Sequence, residues 1–236
     1  MSSDQKKTYK LIIVVIASPG QRYDEFLKIW KQYDKKHDDI KVFYVFGKDH
    51  IKADDSEIVA DSVENLIPGI LLKTVYAMDK IHKEYNYDFL LRTNLSSFFV
   101  LPKLYQFLDT LPKTGCYTGM NLNGRRYVRF VSGSGIIMSR DVIYLLLSNK
   151  RDIDCGYIDD YTIGKFMRDH RVIMRPIAVN RVDDLSIKND FNELVSLVDQ
   201  LKQGPHFHFR LKAIEKRYRK DDSRKMALLY DKYYRL

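Results

Sequence analysis

The sequence predicts an α/β fold with an open, mixed but mostly parallel central sheet flanked by helices. Three observations carry that prediction. Apolar runs too short for helices, the first being Leu11 to Ala17, alternate with longer segments in which apolar residues recur every three to four positions. Each early run ends in turn or polar residues, as parallel strands do at the carboxyl ends where ligands gather. An apolar fraction of 45% with 13% aromatics over 236 residues is enough to bury a proper core.

Leu11 to Ala17 is rich in Ile and Val, which suits a strand buried on both faces, and Ser18-Pro19-Gly20 stops it. Phe26, Leu27, Trp30 and Tyr33 then fall at helical spacing, making Trp30 a core anchor rather than a ligand platform. Val42 to Phe46 reads as a second strand. Gly47-Lys48-Asp49-His50 opens a polar connection that ends near Ile58-Val59 and leaves His50 in a loop. From Ile67 to Tyr85, residues Ile70, Thr74, Ala77, Ile81 and Tyr85 mark one buried helical face, with Lys73 beside it. Phe89-Leu90-Leu91 forms a third buried strand, and Arg92 to Ser97 stands at its carboxyl end.

Beyond Pro102, strand-like pieces at Cys116 to Met120 and Tyr127 to Val131 precede Ser132-Gly133-Ser134-Gly135. That glycine pair reads either as a tight turn before a strand or as backbone left bare for close approach of a ligand. Helices are predicted to begin at Arg140-Asp141, with Ser139 and Asp141 as capping residues, and near Tyr157; another spans Phe191 to Lys202. No repeat or low-complexity linker interrupts the chain, so one domain over residues 1–210 is expected, with a basic helical extension over 211–236 packed on it. From His206 onward ten Lys or Arg face four acids, interleaved with Tyr218, Tyr230, Tyr233 and Tyr234, as in a solvated helix.

Forty Lys and Arg against 31 Asp and Glu give a formal charge of +9, which suits an anionic partner such as a nucleotide, a lipid phosphate or nucleic acid. No recognisable nucleic-acid module accompanies the tail, so nucleic acid is the weakest of the three; peripheral contact with an anionic membrane is the stronger alternative. No apolar run approaches the ~18 residues of a membrane-spanning helix, and residues 1–10 lack the apolar stretch of a secretory signal. A soluble, cytoplasmic chain is therefore expected. Cys116 and Cys155 form no CxxC or Cys/His spacing, in keeping with a reducing compartment. No Walker loop, dinucleotide glycine motif, GxSxG elbow or HExxH is present, which removes the common hydrolase, dehydrogenase and protease readings.

What remains is an ordered series of local patterns. Ala17-Ser18-Pro19 closes the first strand and Trp30 lies in the helix after it; Leu72-Lys73-Thr74 sits in a later helix; Arg92-Thr93-Asn94-Leu95-Ser96-Ser97-Phe98 follows the next strand. Ser132 to Asp141 and Asp159-Asp160-Tyr161-Thr162-Ile163-Gly164 complete the series. In this order the landmarks resemble the inverting β-1,3-glycosyltransferase superfamily that contains Fringe and the β-1,3-galactosyl- and N-acetylglucosaminyltransferases. They match its Ser-Pro-like turn, Leu-Lys-Thr, Lys-Thr-Asp-Asp-Asp-x-Phe, Ser-Gly-x-Gly-x-x-x-Ser-x-Asp and Glu/Asp-Asp-x-x-x-Gly. The resemblance runs from Leu11 to Arg175, roughly two thirds of the chain.

The resemblance implies a GT-A-like nucleotide-diphospho-sugar transferase, with a UDP-type sugar donor and a glycan or lipid-linked acceptor. It implies that Asp160, or Asp159 as alternate, is the catalytic base; the plain reading of both is negative charge at a helix N-terminus. Donor binding falls to Ala17, Ser18, Lys73, Arg92, Asn94, Ser96, Gly133 and Gly135. Pro205 to Phe209 resembles the family's Phe-His-x-His and adds His206 and His208, although His-Phe-His-Phe equally describes a half-buried strand. Arg125, Arg126, Arg129 and Arg210 complete the basic pool, and Asp184 is a weaker acceptor-facing candidate.

The departure lies at the family's Asp triplet, which helps hold a divalent cation. Asn94, Leu95 and Ser96 supply no carboxylate, so Mn²⁺ or Mg²⁺ has at most Ser96 and His208 to hold it, and a metal-independent reaction is equally open. The alternatives are a retaining transferase of the same fold and a non-catalytic domain that binds nucleotide sugar or glycan.

Overall fold

The computed structural model of the chain describes residues 7–124, 128–175, 181–183, 185, 191–213, 219 and 221–235. In chain order run β1 (Thr8–Ile16), α1 (Gln21–Tyr33), β2 (Ile40–Phe46), β3 (Glu57–Val59), α2 (Gly69–Glu84), β4 (Asn86–Asn94), β5 (Ser97–Phe99) and α3 (Leu101–Leu108). Then follow β6 (Tyr117–Asn123), β7 (Arg129–Ser139), α4 (Arg140–Ser148), α5 (Asp159–Asp169), β8 (Arg181–Asp183), α6 (Phe191–Gln203), β9 (His208–Arg210) and α7 (Asp222–Tyr234). They fall into two compact units. The first comprises Met1–Ser18, Asp38–Asn94 and Leu111–Ile177; the second comprises Pro19–His37, Leu95–Thr110 and Ala178–Leu236.

The first unit is built on a six-stranded sheet of order β3-β2-β1-β4-β7-β6. β3, β2, β1 and β4 are parallel, while β7 runs antiparallel to both its neighbours. Sheet and helices are the mixed, mostly parallel α/β arrangement predicted from the alternating runs. Leu11 to Val15 are all fully buried, as expected of a strand covered on both faces. Ile12, Val14 and Ile16 share one core with Ala77, Met78 and Ile81 of α2, Val142, Ile143 and Leu146 of α4, and Ile163, Phe166 and Met167 of α5. Alternate residues of β1 thus join a core closed by apolar stripes of three helices, α2 packing on β1 itself and α4 and α5 on β7. The order of strands reverses between β1 and β4, whose last residues Ile16 and Asn94 are paired, so the unit's switch point lies at these two carboxyl ends.

Two local expectations are corrected. Ser132 to Gly135 does not form a turn before a strand; it lies inside β7. A Cβ on Gly133 would sit 2.7 Å from Arg92 Nη1 and 3.2 Å from Asp160 Oδ2, so the bare backbone makes room for those side chains. Ser139 does stand at the N-cap of α4 and Asp141 in its first turn, but neither side chain bonds the helix's free amides. Ser139 Oγ accepts from Cys116 N (2.9 Å), and Asp141 Oδ2 accepts from Gly115 N (2.8 Å), tying the entry of β6 to the end of β7.

The second unit carries a three-stranded sheet of order β5-β9-β8 with α1, α3, α6 and α7. Trp30 is fully buried, stacks on Tyr33 at 5.0 Å and donates to Leu95 O, the core anchor its spacing predicts. Residues 211–236 belong to this unit, and α7 packs on α1. Tyr234 stacks on Tyr33 at 5.0 Å and accepts from Leu101 N, so this tyrosine of the tail serves packing, whereas Tyr218 lies outside the described residues. No helix among the described residues is long and apolar enough to cross a membrane.

Candidate functional site

Two groups of polar side chains converge at the carboxyl ends of β1 and β4 in the first unit. The first surrounds Ala17 and Ser18. Lys73, held in the second turn of α2, is fully buried and donates from Nζ to Ala17 O and to Glu64 Oε2, each at 2.7 Å. Glu64 also accepts from Ser18 Oγ at 3.0 Å and from Gly47 N at 2.5 Å. One carboxylate therefore ties together the ends of β1 and β2 and the lead-in to α2. Burial pushes the Lys73 ammonium below its usual range, and Glu64 pulls it back up. This lysine, a donor-binding candidate in sequence, is spent inside the protein.

The second group surrounds Asn94. Arg92, only 3% exposed, donates from Nη1 to Gly133 O and pairs through Nη2 with Asp159. Asp159, 6% exposed, begins α5. Burial pushes its carboxyl up, against the pull of Arg92, and the neighbouring Asp160 adds to the rise. Asp160 is half-buried and accepts from Gly133 N (2.9 Å) and Tyr161 N (2.8 Å). Asn94 Nδ2 reaches Gly133 O at 3.4 Å, and Thr93 Oγ1 donates to Ser134 O at 2.6 Å. Gly135 is buried, with its carbonyl pressed against Gly119, which adopts φ 146°.

The acid pair is thus differentiated. Asp159 is the internal counter-ion of Arg92. Asp160 is oriented by neutral amides and keeps access to solvent. Arg92, like Lys73, is removed from the pool of cations able to meet a diphosphate. Arg129 stays exposed at the start of β7, whereas Arg125, Arg126 and Asp184 lie outside the described residues.

Ser96, His206 and His208 belong to the second unit. Ser96 Oγ accepts from Arg210 Nη1 at 2.5 Å. His208, in β9, is 3% exposed and stacks on Phe99 at 4.3 Å. Burial, with Arg181 and Arg210 nearby, holds its imidazole well below the usual histidine range. His206 is half-buried. Where the family has its Asp triplet, the Asn94 amide nitrogen faces Gly133 O, Leu95 O accepts from Trp30 and the Ser96 hydroxyl is taken by Arg210. These groups do not fit a divalent cation, which favours carboxylate oxygens. Among the described residues no three His, Cys, Asp or Glu side chains cluster as metal ligands.

Sequence reasoning missed Glu64 and the aromatic residues beside the acid pair. Glu64 sits in an irregular loop with no periodic signal, whereas Tyr157 and Tyr161 bracket Asp159-Asp160 and were legible as such. Cavities of about 670 and 480 Å³ open beside Tyr144, near the start of β4, and include none of the candidate catalytic or donor-binding residues.

No family model matches the sequence, and no curated protein is detectably similar to it. Among solved structures the chain is similar to a glycosyltransferase involved in the glycosylation of the major capsid of PBCV-1. The two are 7% identical over 92% of this chain and 98% of that one, with a TM-score of 0.52. It is also similar to the catalytic domain of Drosophila beta1,4galactosyltransferase 7, solved with xylobiose: 11% identity over 71% of this chain, with a TM-score of 0.42. This chain covers 66% of that one, just under two thirds of its length. At such identities the likeness is one of fold, and the fold is that of the GT-A glycosyltransferases.

Proposed function

We propose that this GT-A-fold chain is a glycosyltransferase that moves a sugar, with inversion, from a UDP-type nucleotide-diphosphate donor to an acceptor hydroxyl, and that Asp160 is its general base. The observation that carries the reading is the split of the acid pair at the switch point of the sheet. Asp159 is locked on Arg92, while Asp160 is held by two backbone amides with access to solvent. A base must reach a substrate proton from a fixed position, and only Asp160 combines both properties.

In the proposed step the acceptor oxygen attacks the anomeric carbon as Asp160 takes its proton. The bond from that carbon to the diphosphate oxygen breaks, and the electron pair leaves with the nucleoside diphosphate. Ala17, Ser18 and Asn94, at neighbouring strand ends, are the donor-binding residues this reading retains in the first unit. No step runs through a metal ion.

Turnover of a nucleotide-sugar panel tests the reading. Asp160→Asn should lower kcat by about a hundred- to ten-thousand-fold with an unchanged melting profile. A folded Asp160→Asn variant as active as the parent removes the assignment, and a β-linked product from an α-linked donor, read by proton NMR, supports inversion. The internal use of Arg92 and Lys73 favours one second reading, a domain that binds nucleotide sugar or glycan without turnover. Donor binding with no product from any member of the panel would select it.

A further inference from the structure

The acid pair is flanked by aromatic side chains that neither the base nor the donor needs. Tyr161 is wedged in place: a Cβ on Gly124 would lie 2.8 Å from its ring, and the buried Phe130 meets it edge-on at 5.7 Å and 73°. Phe130 is in turn seated on Gly164, one helical turn further along α5, where a Cβ would come within 2.2 Å of it. Tyr157 leans on this fixed ring at 5.1 Å and 51°. It remains 40% exposed, and Ile158 beside it 38%. The result is a chain of rings that begins in the core at Phe130 and ends in solvent at Tyr157, two residues before Asp159.

A small aliphatic residue suffices to pin the entry of a helix through an apolar contact. A tyrosine ring left open on one side, braced by an immobile ring on the other and set beside a solvent-accessible carboxylate, does more. It offers a rigid apolar surface at low entropic cost. One face of a pyranose, where C–H bonds rather than hydroxyls point outward, complements such a surface.

We propose that Tyr157, braced by Tyr161 and extended by Ile158, is the platform on which a carbohydrate acceptor stacks, so that the acceptor is a glycan rather than an unglycosylated lipid or peptide. The inference rests on the reading of Asp160 as the group that meets the acceptor hydroxyl. Tyr157 is then a binding residue that sets acceptor class, with no part in the proton transfer.

The test pairs binding with kinetics on the full chain. Saturation-transfer NMR with methyl hexopyranosides, without donor, should show saturation of the C–H protons of one ring face. Tyr157→Ala should abolish that signal, Tyr157→Phe should keep it and Asp160→Asn should leave it in place. With donor present, Tyr157→Ala should raise the acceptor KM roughly tenfold, equivalent to about 1.4 kcal/mol, with the donor KM unmoved. Glycoside binding or acceptor KM unchanged in a folded Tyr157→Ala variant overturns the platform, as does transfer to non-sugar acceptors alone. If the wild type turns over no donor yet loses glycoside binding on Tyr157→Ala, the proposed transferase fails and the carbohydrate site stands.

Discussion

At the scale of single residues, Arg92 illustrates how burial reassigns a charge. In sequence it stands at a strand's carboxyl end among candidates for the donor diphosphate. In the fold its guanidinium is enclosed between Gly133 O and Asp159. A buried charge must be paired, and removing one partner strands the other in low dielectric. Arg92→Ala should therefore cost about 3–5 kcal/mol of stability. The double variant Arg92→Ala with Asp159→Ala should recover part of that loss, read from urea-denaturation midpoints. A single-variant cost within the ordinary range of surface substitutions would mean that the pair does not hold this part of the molecule together. Gly133 belongs to the same unit of function, since any side chain there would push both Arg92 and Asp160 out of place.

At the scale of elements, the short strand β9 departs from the half-buried alternation that His206 to Phe209 suggests: Phe207, His208 and Phe209 are all buried, and the burial of His208 carries a pH dependence. His208 is packed between β5 and β8 neighbours and its imidazole is held well below the ordinary histidine range, first by desolvation and then by Arg181 and Arg210. The unfolded chain binds a proton near pH 6.5 that the folded chain refuses. The contribution of this residue is thus intact above pH 6.5 and drains away as pH falls below it, at no more than about 1.4 kcal/mol per pH unit. His208→Phe, which keeps a ring against Phe99, should flatten that slope in denaturation series between pH 7.5 and 5. Equal slopes in variant and parent would place the pH dependence elsewhere. The elements themselves were largely readable: β2 and β4 enclose the runs that predict them, and β1 and α2 cover theirs to within one or two residues at the ends. The glycine segment was not, because its place inside β7 rests on the ladders that β7 makes with β4 and β6 on either side.

At the scale of the whole molecule, the alternation of strands and helices identified a mostly parallel sheet, and the structure adds the reversed strand β7. The division into two units left no mark on composition because each unit is assembled from three separate stretches of chain, with no linker between them. Overall charge bears on ligand choice. A net +9 favours an anionic donor, and any ligand that binds only the folded chain raises its apparent stability, by about 2.7 kcal/mol at a concentration of 100 Kd. UDP and UDP-sugars should therefore raise the melting temperature, and the shift should shrink with added salt as the attraction is screened. Because residues 94–96 supply no carboxylate, the shift should be the same with Mn²⁺ as with a chelator. A shift that appears only with Mn²⁺ would show that other groups bring the cation.

The sequence alone was enough for the fold class, most of the longer elements, and the placement of an acid pair at the first turn of a helix, because these follow from periodicity and capping within a few residues. Which acid is locked, which is presented and which basic residues are consumed emerge only once the chain is packed. The pairs involved are distant in sequence: Lys73 and Ala17 are 56 positions apart, Arg92 and Gly133 41, Gly133 and Asp160 27. Burial and partner choice are properties of that folded neighbourhood, and no local pattern encodes them.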